Sequence, residues 1–243
     1  MKPGPAAMNL LSYCRHCCLA GICFLSVNEN TEAQRSGYKR ELIPAKTVEI
    51  EEHLQVFNDS SSAISYIISL CADVPLNKKP HRVAYKQQTG HVFLILQKVR
   101  SIGDTVQRVF GYYPKKGLST LLFRKVKSCI KDNSTREYDT KISKVLTKEQ
   151  FDTAVAKSVS LARRAYHINK FNCYDYAVYV FNAVSPENPL PVTYVRFPFP
   201  FGRGGSPCSV YKDFKKMKEN GAFWANRICM ETAMAPVSTG RRR

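Results

Sequence analysis

Thr89-Gly90-His91-Val92-Phe93-Leu94-Ile95-Leu96 is the stretch whose reading decides the fold. From Val92 to Leu96 every residue is apolar, with no polar position in alternation. A strand that is apolar on both faces belongs inside a sheet rather than at its edge. Gly90 leaves room for close backbone approach just ahead of it. Downstream, Ser101-Ile102-Gly103-Asp104 reads as a turn and Val106 to Tyr113 as the returning strand, ended by Pro114. Together they predict a hairpin.

Outward from the hairpin the patterns change. Val48 and Ile50 alternate in a short predicted strand. Ile64, Ile67, Ile68 and Cys71 fall at helical spacing behind Asp59 and a serine run, which predicts a helix over 60–71. Asn77 to Pro80 reads as a loop. Thr147 and Gln150 fit a capping box, and Phe151, Val155, Val159, Ala162 and Tyr166 follow as one helical stripe. Asn172 caps a second helix, whose core face starts with Cys173 and continues through Tyr176, Ala177, Val180 and Phe181. Residues 194–207, rich in Pro, Gly and aromatics, predict a long loop. Val210 to Asn220 predicts a short basic helix stopped by Gly221. The sum is an α+β fold, an antiparallel sheet packed against a helix that starts with Cys173. The expected organisation is an N-terminal apolar segment (1–27), a linker (28–46), one domain (47–225) and a basic C-terminal tail (226–243).

With 243 residues, 44% of them hydrophobic, the chain buries one substantial core, which excludes a disordered or fibrous protein. The formal net charge is +18, densest over residues 115–148 and 196–243. Such a field suits an anionic surface or polymer, and the alternative is a solvated basic face. No basic motif is interleaved with aromatics, so no specific nucleic acid is predicted. Of nine Cys, Cys14, Cys17, Cys18 and Cys23 crowd the N-terminus. The C-x-x-C of Cys14 and Cys17 has no second pair at zinc spacing, and no metal or cofactor is expected. The apolar run over residues 17–27, CCLAGICFLSV, is too short to span a bilayer but has the length of a signal-peptide core. Two readings follow: an exported protein (periplasmic, cell-surface or secreted), or a cytoplasmic one with a buried N-terminal helix.

Two residues carry candidate chemistry. Cys173 stands in the first turn of its helix, where unpaired N–H groups and the positive dipole end stabilise a thiolate. Its thiol is expected to ionise more readily than a free one and to serve as a nucleophile. Its own N–H is placed to donate to an oxyanion. Cys is also among the most buried residue types, so a purely structural role competes. A thiol nucleophile needs a base, and His91 at the opening of the central strand is the candidate. Residues 91, 93 and 95 share a strand face, and a helix packed across that face brings the pair together. His167 reads instead as a C-terminal cap of the preceding helix. For a third residue orienting the histidine, Tyr112 or Tyr113 is nearest by register, with Tyr113 preferred. Asp104 lies too far off in the turn, and Asp175 complements the helix start.

The segments Thr89–Leu94, Phe110-Gly111-Tyr112-Tyr113-Pro114 and Phe171-Asn172-Cys173-Tyr174-Asp175-Tyr176-Ala177 together resemble a bacterial family of papain-like proteins. The family belongs with the circularly permuted NlpC-like group, related in element order to lecithin retinol acyltransferase-like proteins. In that group the strand histidine precedes the helix cysteine, as here. Tyr138-Asp139 and Gly202-Arg203-Gly204-Gly205-Ser206-Pro207 add to the likeness, which covers about residues 85–220. The resemblance implies a permuted papain-like fold. It also implies a thiol hydrolase, an amidase or peptidase, that forms a thioester at Cys173 with His91 as general base. A peptide or amide is then the substrate, with peptidoglycan peptides one option. Lipid acyl transfer or deacylation by the same pair, and a non-catalytic papain-like binding module, are the alternatives.

Overall fold

The structure, a computed structural model, describes residues 45–84, 88–100, 103–115, 125–197 and 202–240. The apolar run at 17–27, the N-terminal cysteines, the expected linker as far as residue 44, residues 101–102 of the hairpin turn and the three terminal arginines lie outside the described residues.

In chain order the elements are β1 (Thr47–Val48), α1 (Ile50–Leu54), β2 (Ala63–Asp73), β3 (His91–Arg100), β4 (Thr105–Pro114), β5 (Ser128–Asp132), β6 (Glu137–Tyr138) and β7 (Thr140–Leu146). There follow α2 (Lys148–Ala162), α3 (Cys173–Ala183), β8 (Tyr194–Arg196), β9 (Arg203–Gly205), α4 (Pro207–Glu219), β10 (Ile228–Cys229) and β11 (Ala233–Met234). The fold is mixed α+β. Its main sheet has seven strands in the order β1-β5-β4-β3-β2-β7-β10, with antiparallel neighbours throughout. The sequence GHVFLIL thus opens the central strand, and Val92, Phe93, Leu94 and Leu96 are fully buried.

The helix expected over residues 60–71 is strand β2. It pairs with β3 on one side and β7 on the other. From Ile68 to Asp73 it is buried on both faces, so no two-residue alternation survives in the sequence. Its β-branched Ile64, Ile67 and Ile68 suit a pleated backbone, and their helical spacing is coincidental. The short strand expected through Ile50 stops at Val48, and Ile50 opens α1.

The sheet has two unlike sides. Val92, Leu94, Leu96, Phe110 and Tyr112 face α2 and α3 in the larger core. Phe93, Ile95, Val109 and Cys71 face the other way, under Tyr138 and Ala235. Part of that second cover, Ala233 and Ala235, comes from the segment expected as a basic tail. β10 extends the main sheet on β7, β11 pairs with β6, and Thr239 N–H donates to Gln107 O at 2.9 Å. An apolar sheet face needs a cover, and β6 and the C-terminal residues supply it together.

The capping box on α2 is present, with Gln150 N–H donating to Thr147 Oγ1 at 3.2 Å and Thr147 N–H donating to Gln150 Oε1 at 3.1 Å. The buried stripe is Phe151, Ala154, Ser158 and Leu161, flanked rather than formed by Val155, Val159 and Ala162. Small side chains there let α3 approach closely: the Tyr176 hydroxyl donates to Ser158 O at 3.0 Å. Because α2 ends at Ala162, His167 is not its cap. It closes a turn onto Phe171 through backbone bonds in both directions, and its Nδ1 accepts from Asn169 N–H. The expected loop at 194–207 contains the β8–β9 hairpin, and α4 begins at Pro207 with Ser206 as its cap.

Candidate active site

Local sequence builds the cysteine side of the site. Asn172 Oδ1 accepts from Tyr174 N–H at 2.8 Å, and the Asp175 carboxylate accepts from Asn172 N–H at 3.0 Å. The Asn172 amide donates to Ile168 O at 2.7 Å and to Gly205 O at 2.9 Å. This reciprocal cap fixes Cys173 as the first residue of α3. Asp175 is thereby committed to the cap. A Cβ at Gly205 would collide with the Tyr174 ring, so only glycine lets β9 lie against the start of α3.

The histidine side is built by strand divergence. β3 and β4 are paired from Val99↔Thr105 to Phe93↔Gly111. Beyond that point β3 continues to His91, while Tyr112, Tyr113 and Pro114 pair with β5. The β3–β4 ladder ends there and leaves a mouth between the strands, and the backbone N–H of Val92 at that point acts on the Cys173 thiol in the sense that favours its thiolate. Cys173 and His91 are not joined by the expected helix lying across the face of residues 91, 93 and 95. α3 packs over the Val92–Leu94–Leu96 side, not the 91–93–95 side. The thiol and the imidazole therefore do not meet across one strand face, and what links them is a pair of side chains that act on both. Tyr113 and Arg136 act on both: Tyr113 stacks on His91 with ring centroids 4.1 Å apart and interacts with the thiol, and the Arg136 charge reaches both groups.

Opposite His91 stands a residue that the sequence did not single out. A Cβ at Gly111 would collide with both His91 Nε2 and Asn133 Oδ1, so these two atoms converge on the space that glycine leaves. Both are buried, and neither atom has a hydrogen-bond partner among the described residues. The Asn133 side chain interacts with the ring in the sense that favours its protonated form. Its Nδ2 donates to the Tyr113 hydroxyl at 2.6 Å. Tyr113, expected as the residue that orients the histidine, stacks on its ring and accepts from the Asn133 carboxamide. The polar atom that shares the space over Gly111 with Nε2 is Asn133 Oδ1. Tyr112 points away into the core, stacked on Tyr166 and Tyr176, with its hydroxyl donating to Arg164 O at 2.6 Å. Asp104 pairs with Arg100 at the far end of the hairpin.

Asn133 belongs to the turn after β5, and the C-terminal segment clamps that turn. Asn133 N–H donates to Val109 O at 2.9 Å, and Thr135 N–H to Ala235 O at 3.2 Å. Ser238 N–H donates to Ser134 Oγ at 2.8 Å, and Ser238 Oγ donates to Asp132 Oδ1 at 3.1 Å. Nothing short-range in the sequence marks Asn133 as more than a turn residue in Asp132-Asn133-Ser134. Only the β3–β4–β5 register brings it to His91. Arg136, from the same turn, pairs with buried Asp73 at 2.7 Å.

Burial dominates the protonation of the pair. It holds His91 well below its usual range, aided by the charges of Arg136 and Lys131 and opposed by Asn133. It also pushes the Cys173 thiol up to about 11, against the N–H groups of Val92 and Tyr174. The expectation of a readily ionised thiol is thus corrected, because desolvation outweighs the helix start. At neutral pH the resting pair is thiol and neutral imidazole.

Cys71, Cys129, Cys173, Cys208 and Cys229 are free thiols. Among the described residues no group of three or more His, Cys, Asp or Glu is placed to hold a metal, and no helix is long and apolar enough to cross a membrane. Comparison with family models, curated proteins and solved structures gives no significant match.

Proposed function

We propose that this chain is a thiol hydrolase, an amidase or peptidase of permuted papain-like architecture. Cys173 is its nucleophile, His91 its base and Asn133 the residue that orients the base. The observation that carries the reading is the convergence of His91 Nε2 and Asn133 Oδ1 over Gly111, with the capped Cys173 thiol at the neighbouring Val92 amide. With Nε2 turned to Asn133, Nδ1 is the nitrogen left for the thiol. From a neutral pair, proton transfer to His91 accompanies formation of the S–C bond to the substrate carbonyl. The N–H groups at the start of α3 stabilise the oxyanion. The C–N bond then breaks, and the leaving amine takes the proton from His91. Water, deprotonated by His91, attacks the thioester, releases the carboxylic acid product and returns the proton to sulfur.

A peptide or amide substrate follows from this chemistry. Export and a cell-wall peptide substrate are the extension that the apolar run at 17–27 and the basic charge support. Lipid acyl transfer is open to the same pair. One observation favours a non-catalytic module instead: Cys173 is 8% exposed and His91 4%, so a substrate must displace cover to reach them. Intact-mass analysis after incubation with aryl esters and peptide amides separates the readings. The hydrolase reading expects an acyl adduct on Cys173 that hydroxylamine removes. Cys173→Ala abolishes it, and His91→Ala slows it about 100-fold or more. A wild-type protein that neither acquires an adduct nor turns over any ester would leave the binding module.

A further inference from the structure

Lys131 lies on β5 directly opposite Gly111, so its side chain leaves the sheet on the same side as the space shared by His91 and Asn133. Its ammonium stands 5.1 Å from the centre of the Tyr113 ring, the ring that stacks on His91. Among the described residues it has no carboxylate partner. The other cation of the site, Arg136, is engaged by Asp73. Asp132, next along β5, is turned to Ser134 and Ser238. Asp175 is held by the α3 cap and the Tyr194 hydroxyl. The mouth therefore has one uncommitted positive charge on the histidine side, and Lys115 adds a second cation along that edge, acting with Lys131 on the Cys129 thiol.

The charge here disfavours the imidazolium that the reaction must form, because Lys131 holds His91 towards its neutral form. An anion brought by the substrate would relieve that effect.

Resting on the hydrolase reading above, we propose that Lys131 makes this site selective for acyl donors that carry a carboxylate near the scissile carbonyl. The carboxylate pairs with the Lys131 ammonium in place of the Tyr113 ring face. In doing so it offsets the charge that opposes protonation of His91 in the transition state.

The test compares p-nitrophenyl glutarate with p-nitrophenyl butyrate, and adds a short-chain diacyl phosphodiester lipid as a third donor. The wild type is expected to favour the glutaryl ester about tenfold or more in kcat/KM. Lys131→Ala removes that preference and, by lifting the charge that opposes the imidazolium, raises the butyryl rate, and Lys131→Glu reverses the preference. An unchanged ratio in both variants overturns the proposal, and so does a preference for the phosphodiester over the glutaryl donor. If neither ester reacts beyond the Cys173→Ala level, the hydrolase reading fails separately. The anion site is then decided by titrating glutarate while following the His91 and Tyr113 ring resonances. Shifts in the wild type that vanish in Lys131→Ala support the site, and no shifts in the wild type overturn it.

Discussion

The two halves of the candidate site are made in opposite ways. The cysteine half is set mainly by one short segment, in which Asn172 and Asp175 cap the helix that Cys173 opens. The histidine half needs β3, β4 and β5, the turn holding Asn133, and the C-terminal segment that clamps it. A locally encoded half tolerates distant change. A half assembled from remote segments is vulnerable to substitutions far from the chemistry, since small displacements of an orienting group cost large factors in rate.

The largest effects should come from the point where the remote half converges. Gly111→Ala places a methyl group between His91 and Asn133. Acylation of Cys173 should fall at least about 100-fold, with about 1–3 kcal/mol lost in denaturant unfolding for overpacking. Asn133→Ala should lower acylation about 10-fold to 100-fold and leave the Cys173 side intact, which steady-state kinetics beside a fold check by circular dichroism would register. Ser238→Ala is the sharper probe, because Ser238 touches neither His91 nor Cys173. It removes the bond to Asp132 and the one that Val109 N–H donates to Ser238 Oγ. About 1–2 kcal/mol of stability should go, and kcat should drop severalfold with KM held. If Ser238→Ala matches wild-type kcat, the clamp serves stability alone.

The cysteine half should respond differently. Asn172→Ala costs about 1 kcal/mol as a lost cap, and more if its buried partners Ile168 O and Gly205 O stay unpaired. The smallest effect concerns pH. His91 is held neutral in the fold, with its affinity for protons below that of the unfolded chain. Its contribution to stability is complete above about pH 6.5 and is lost as pH falls towards the folded value. Between pH 7 and 5 the wild type should therefore lose melting temperature faster than His91→Gln. The difference in slope is at most about 1.4 kcal/mol per pH unit.

What could be read in the sequence follows the same division. The Thr147–Gln150 and Asn172–Asp175 caps are contiguous motifs whose hydrogen bonds are dictated by spacing, and both form. The strand from His91 was legible because an unbroken apolar run between turn residues admits few structures. β2 was misread because burial on both faces erases alternation and leaves isoleucines that imitate a helical stripe. Asn133 was invisible for a related reason. Its role depends on two strand registers and on the absence of a side chain at Gly111, and none of these is encoded near residue 133. The basic C-terminal residues looked like a tail because their partners, Gln107, Val109 and Asp132, lie more than a hundred positions earlier.

The most direct test of the two halves acting as one site is the rate of Cys173 alkylation by iodoacetamide across pH, in wild type and in His91→Ala. Burial places the thiol near 11, so without a base it should react slowly at pH 7. The account predicts that wild type reacts at least about tenfold faster than His91→Ala at pH 7, and that the two rates converge above about pH 11, where the thiolate forms unaided. Superimposable profiles for the two proteins would contradict it.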